Sequence, residues 1–325
     1  ECLYVQDMDI LTDLFRESGL RRRLLDLREL PAQRGLRFPC ERSVGFHVVV
    51  SGSAYIHAPG ESTPIELQAG DVAVMARGCE HVLATGPRLK GLPIDTIELD
   101  GARRVTQSAE TTLVSGAYQL WNTPVHPFFA QLPAWFVLRA ERSSTLSPVA
   151  LTVAMLADEA RSDALGRDTV LHGLLDVLFT QLLRLIVEKQ GDTGAGFSHA
   201  IRDPHIRQVV TLLHREYAQD WTLDGLARAV GLSRSVLAER FRVNMGDTPL
   251  AYLRTVRLQR AMRLLADGAE TIEQVAVAVG YQDAFGFSKA FKKAVGESPG
   301  EFRKRNAAEE GLPWRLPASE AVGTG

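Results

Sequence analysis

The chain holds 325 residues, 45% of them hydrophobic and 7% aromatic, and carries a net charge of -2. That length exceeds a single compact core and predicts about two domains, while three cysteines are too few to frame such a chain with disulfides, so a reducing cytoplasm is the expected setting. No run of about 18 purely apolar residues argues for a membrane span, and the first residues lack the basic-then-apolar layout of a secretory signal, so no membrane partner is expected.

Met8 opens a more natural start than Glu1, so residues 1–7 read as an upstream extension and Cys2 is set aside. From about Leu24 to Val82 the pattern is strand-like. Short apolar runs (Gly45 to Val50, Ala54 to His57, Asp71 to Met75) are broken by the turn pairs Ser51-Gly52, Pro59-Gly60, Ala69-Gly70 and Arg77-Gly78. Short strands at near-even spacing predict a small β-barrel or sandwich. Residues 149–161 and 168–189 then read as helices. The second sets Leu171, Leu174, Leu175, Leu178, Leu182 and Leu185 at spacings of three and four. These helices either cover the barrel or form a homodimer interface, and both uses are compatible. Gly191 to Gly196 is a flexible linker, and the tail from Ala307, with Pro313 and Pro317, is expected to be disordered.

An internal repeat dominates the last third. Thr222 to Gly231 aligns with Thr271 to Gly280 at an offset of 49, and after one extra residue Phe241 pairs with Phe291, Gly246 with Gly296, Pro249 with Pro299 and Tyr252 with Phe302. Each copy has the parts of a helix-turn-helix: a threonine at the N-cap, a small alanine where helices approach, and a glycine at the turn. The helix after each turn (Ser233 to Asn244, Asp283 to Val295) buries Leu237 and Phe241, or Phe287 and Phe291. Its other face shows Arg234, Arg240 and Arg242, or Lys289, Lys292 and Lys293. Such a helix fits a major groove. The charge agrees: residues 201–306 hold 17 Lys/Arg against 12 Asp/Glu, whereas the rest of the chain holds 20 against 27. A helical repeat without nucleic acid would explain one copy, but two copies that are both basic after the turn disfavour it. Leu250 to Ala266 reads as one long helix that would hold the units on one DNA face, about 34 Å apart.

Val279-Gly280-Tyr281, Phe287 to Lys293, Gly296-Glu297-Ser298-Pro299 and Phe302-Arg303 resemble the signature of the AraC/XylS regulators. Leu226-Ala227, Gly231 to Ser235 and Leu237 agree in the first unit. The resemblance spans about residues 203–305. By position it implies base-edge contacts from Arg234, Ser235, Ala238 and Glu239, and from Ala284, Phe285 and Lys289. Glu239 departs from the basic or amide residue often found there. Glutamate can accept from cytosine N4, yet it repels phosphate.

Gly70-Asp71, Arg77-Gly78 and His81 resemble the second half of the cupin signature, and Val50 to Ala54 the end of its first half. The usual metal set is incomplete, because the glutamate position is Gly45 and the two-histidine stretch, Phe38 to Glu41, holds no histidine. Three readings of this domain stand side by side. His47, His57 and His81 line a pocket for a small organic effector. Alternatively, His47 and His81 with one or both of Cys40 and Cys79 hold Zn or Cu(I), since imidazole and thiolate suit both. In the third, Cys40 and Cys79 sense an oxidant.

The expected fold is α+β in two domains. A cupin-like β-barrel sensor spans 8–145, covering or dimerising helices span 146–190, an all-α tandem helix-turn-helix domain spans 200–306, and 307–325 form the tail. The expected function is sequence-specific transcription regulation on double-stranded DNA, more often activation through RNA polymerase. The alternative is a cupin-fold metal-dependent enzyme with a helical appendage, for which the chain offers no complete metal set, phosphate loop or nucleophile elbow.

Overall fold

The computed structural model describes residues 20–30, 32–39, 43–58, 61–76, 78–97, 101–102, 111–120, 129, 132, 134–140, 147–191, 200 and 202–307. The chain divides into two compact units, one built from the described parts of 22–120 and 132–183, the other mainly from 184 onward. The tail and the Gly191–Gly196 linker expected above lie outside the described residues, apart from Gly191 and Ala307 at their edges.

The first unit packs two sheets face to face. One has the order β11-β6-β3-β10-β1-β9 and the other β5-β4-β7-β2-β8, where β1 is Leu20–Glu29, β8 is Ile94–Thr96 and β9 is Gly101–Ala102. The strands that matter here are β2 (Gly35–Phe38), β3 (Ser43–Ser51), β4 (Ser53–His57), β5 (Ile65–Gln68), β6 (Val72–Met75), β7 (His81–Ala84), β10 (Thr112–Leu120) and β11 (Phe136–Leu138). Alternation sorts their side chains. Val49, Ala54, Ile56, Ala73, Met75, Leu83 and Leu113 form the core between the sheets. The opposite face of β3 carries Val44, Phe46 and Val48, which are also buried. That double burial explains why β3 reads as an unbroken apolar run rather than an alternating one.

Two helices cover the second face, α1 (Pro148–Arg161) and α2 (Arg167–Gly191). Ser147 caps α1 by accepting from the Ala150 amide. On α2, Leu171, Leu174, Leu175, Leu178 and Leu182 are buried as their spacing predicts, and Leu185 is half-buried. Phe179 of α2 stacks on Tyr118 of β10 with centroids 4.1 Å apart, and Phe46 lies 6.3 Å from it. The Tyr118 hydroxyl donates to Asp176 Oδ1 at 2.6 Å. Gly116 makes room for this layer, since a Cβ there would collide with the Phe46 ring. Against the expectation from apolar runs alone, Arg167–Glu188 is long and apolar enough to cross a membrane, with mean hydropathy 1.7. Half of that stretch is nevertheless buried inside the protein, and it packs as a core helix.

The second unit is helical: α3 (Pro204–Arg215), α4 (Leu223–Ala229), α5 (Arg234–Met245), α6 (Pro249–Asp267), α7 (Ile272–Ala278), α8 (Ala284–Val295) and α9 (Pro299–Ala307). The 19 residues of α6 make a rod of about 28 Å. Its later half (Leu258, Ala261, Met262, Leu265) joins Val275, Phe287, Phe291 and Phe302 in one core. Near its start, buried Tyr252 accepts or donates to His214 Nε2 at 2.7 Å and meets Phe241 edge-on.

Candidate nucleic-acid interface and a buried histidine pair

The two reading helices are set by local chemistry. Thr222 caps α4 by accepting from the Gly225 amide, and Ser233 caps α5 by accepting from Val236. In the second copy Thr271 and Gln274 form a reciprocal capping box, and Asp283 caps α8 through the Gly286 amide at 2.6 Å. Gly231 (φ 68) and Gly280 (φ 81) make the turns, while Gly246 and Gly296 end the second helices in the left-handed region. At Gly280 the requirement is double, because a Cβ would also fall 2.5 Å from the Ala218 carbonyl oxygen.

With Leu237, Phe241 and Met245 inward, α5 turns Arg234, Ser235, Glu239 and Arg242 to solvent, and Ala238 is half-buried. Arg242 pairs with Glu239 at 3.5 Å. Arg240 is drawn sideways to Asp203, the N-cap of α3, at 3.6 Å and leaves the outward face. On α8, Phe287, Phe291 and Val295 are inward, Phe285 is 81% exposed, Lys289, Lys292 and Lys293 are exposed, and Ala284 is half-buried. One structural residue lay beyond sequence reasoning. Arg257 of α6 donates to the carbonyls of Tyr217 (2.7 Å) and Gln219 (2.9 Å) and lies over the Tyr281 ring, tying the approach to the first helix-turn-helix to the turn of the second. Its signal is only that of one more arginine on an amphipathic helix.

In the first unit, His47 of β3 and His81 of β7 project from opposite sheets and meet between them, Nε2 to Nε2, at 2.6 Å. His81 Nδ1 stands 2.9 Å from the Cys79 carbonyl, which can only accept, so Nδ1 carries the proton and Nε2 the lone pair. His47 Nε2 must then donate, and His47 Nδ1 accepts from the Ser115 hydroxyl at 2.6 Å. Ser115 is the register partner of His47 on β10. Phe38 seals the pair, edge-on to His47 at 4.5 Å and parallel to His81 at 5.3 Å. Burial holds both rings neutral: it pushes His81 down to about 4, and it pushes His47 well below its usual range with help from the neighbouring His81.

Of the other predicted site residues, His57 stands apart. His57 lies on the face of β4 away from Ile56 and the core, half-buried. Cys79 is half-buried, packs against the core between the sheets and offers its carbonyl to His81. Cys40 lies outside the described residues. No group of three or more potential metal ligands occurs among the described residues. Nitrogens 2.6 Å apart would both meet a Zn ion at about 2.0–2.1 Å only with an angle of roughly 80° at the metal, well short of tetrahedral. At this spacing the pair suits a closed hydrogen-bond chain, and a metal would require the two rings to part. Asp71, in the cupin-like turn, serves the fold. Buried, it accepts from the Gln68 and Ala140 amides and from Arg139 at 2.7 Å, clasping the β5–β6 turn to the end of β11.

Tandem capped helices on one shared rod, in a chain that also carries a two-sheet unit, define a DNA-binding transcription regulator. The chain matches the cupin family over residues 9–188 and a helix-turn-helix domain family over 226–305. It is 28% identical over 299 residues to a putative AraC-like transcription regulator of Streptomyces lividans, covering 91% of this chain and 97% of that protein. It is 25% identical to RclR, the RCS-specific HTH-type transcriptional activator of Escherichia coli, covering 81% and 84%. Among solved structures, an AraC-type transcriptional regulator from Chromobacterium violaceum is 28% identical, covering 33% of this chain and 95% of that one, with a TM-score of 0.31. This protein belongs to the AraC family of helix-turn-helix transcription regulators, with an N-terminal cupin domain. It binds DNA through the helix-turn-helix domain, and these relatives are regulators, not enzymes.

Proposed function

We propose that this protein is a cytoplasmic, sequence-specific regulator, acting as an activator through RNA polymerase, whose cupin domain receives a chemical signal. The observation that carries the reading is the pair of outward faces on α5 and α8. Ser235, Glu239 and Arg242 on one, and Phe285, Lys289 and Lys292 on the other, stand free of the core at equivalent turns of two capped helices. Arg234 and Ala238, and Ala284 and Lys293, border these faces and complete the contact set, while Arg240 steadies α5 against α3. Of the signals considered, a small organic effector agrees best with the buried pair. His47 and His81 offer hydrogen-bonding groups in an apolar interior, and their mutual bond can be exchanged for bonds to a ligand. A second copy of the chain on the exposed apolar residues of α1 and α2 (Leu151, Met155, Val170, Val177) would give the homodimer expected of those helices.

DNase footprinting with Lys289→Ala tests the DNA reading. If Lys289 reads a base, the variant loses about 1–3 kcal/mol of specific affinity and protection weakens at one half-site. An unchanged footprint and affinity would contradict the placement of α8 in the groove.

A further inference from the structure

The two reading helices share one helical frame. Leu237, Phe241 and Met245 hold the inward positions in α5 that Phe287, Phe291 and Val295 hold in α8. A residue two places after the first anchor is turned about 200° from it and points straight outward. In α5 that residue is Glu239 and in α8 it is Lys289, both exposed. The repeat therefore puts opposite charges at the same central reading position. The contrast extends along the faces: Glu239 is held by Arg242 at 3.5 Å, whereas the outward positions of α8 include no acid.

The chemistry of the groove separates the two. A carboxylate only accepts, so it fits the N4 amine of cytosine. Adenine offers an amine beside the N7 acceptor, which repels it, and guanine and thymine present acceptors at O6, N7 or O4. An ammonium only donates and fits guanine O6 and N7. We infer that Glu239 and Lys289 make the two half-sites unlike, cytosine under α5 and guanine at the equivalent place under α8, and so fix the direction in which this pseudo-repeated domain lies along its operator. Two similar helices on one rod could otherwise dock in either order. Glu239 placed over guanine or against phosphate is penalised, which gives specificity by exclusion. Arg242 offsets the carboxylate's charge toward the backbone without covering it, for the two side chains remain 67% and 63% exposed.

This inference rests on the DNA reading proposed above, and the test separates the two. Duplexes would be selected from a random library by the full chain and by Glu239→Lys, Lys289→Glu and the double variant. The wild type is expected to enrich an asymmetric site. Glu239→Lys replaces cytosine by guanine in one half-site only, with roughly 5- to 150-fold discrimination between right and wrong base. The double variant enriches the parent site with the two bases exchanged. Enrichment of the parent site by Glu239→Lys, merely bound more tightly throughout, would overturn the inference while leaving the DNA reading intact. A wild type that enriches no sequence would instead refute the DNA reading itself. Both side chains are exposed, so the substitutions leave the core unaltered.

Discussion

His47 and His81 are costly residues to place between two sheets, and the cost has a pH signature. Each ring is neutral in the folded protein, and His81 is held down to about 4 against an ordinary 6.5. The unfolded chain therefore takes up the proton first as pH falls, and stability is lost on the acid side. It is full above about pH 6.5 and declines from there toward 4. His214 in the other unit, also pushed down to about 4 by burial, behaves the same way. Urea unfolding should show the helical unit, with His214, losing on the order of 2–3 kcal/mol between pH 7.5 and 4.5, and the cupin unit, with two such rings, losing more. Stability that stays flat across that interval would mean that the histidines are hydrated or charged in the fold. The pair itself was only half legible in the sequence. His47 and His81 stand in cupin-like motifs, but their meeting depends on which sheet each strand joins, a pairing between residues 34 positions apart. His57 shows the same limit, since a shift of one residue along β4 decides whether a side chain enters the core.

Helix caps and turns are local, and here the sequence told most. Thr222, Thr271 and the glycines at 231, 280, 246 and 296 sit where the repeat predicts them, and α5 and α8 begin within a residue of their expected starts. The equivalence of the two turns, however, hides a difference that only packing reveals. Gly231 faces open space, whereas Gly280 is pressed against the Ala218 backbone. Gly280→Ala should accordingly cost about 1–3 kcal/mol for its backbone conformation and more for the collision, with Gly231→Ala losing only the conformational part. Equal losses in denaturant titrations would contradict the close approach at Ala218. In the cupin unit β10 plays a comparable part, holding His47 through Ser115 on one face and α2 through Tyr118 and Asp176 on the other. A change at the histidine pair is thus two hydrogen-bonded contacts, along one strand, from the helix that leads out of the domain.

Across the whole molecule, function follows the partition of charge. A near-neutral total conceals a basic carboxyl-terminal third and an acidic remainder, so the average argues against nucleic acid while the distribution argues for it. Composition and repeat made the DNA-binding half readable because its chemistry is modular and short-range. The cupin half yields its fold but not its ligand chemistry, since an interior between sheets is assembled from single residues on many strands. The most direct test of the account is the salt dependence of operator binding by the full chain. If α5 and α8 both lie in major grooves and make about four phosphate contacts between them, affinity should fall on the order of 100-fold between 50 and 200 mM salt. The footprint should then cover two adjacent groove segments on one face of the duplex. Affinity indifferent to salt, or protection confined to one groove, would contradict a tandem reader.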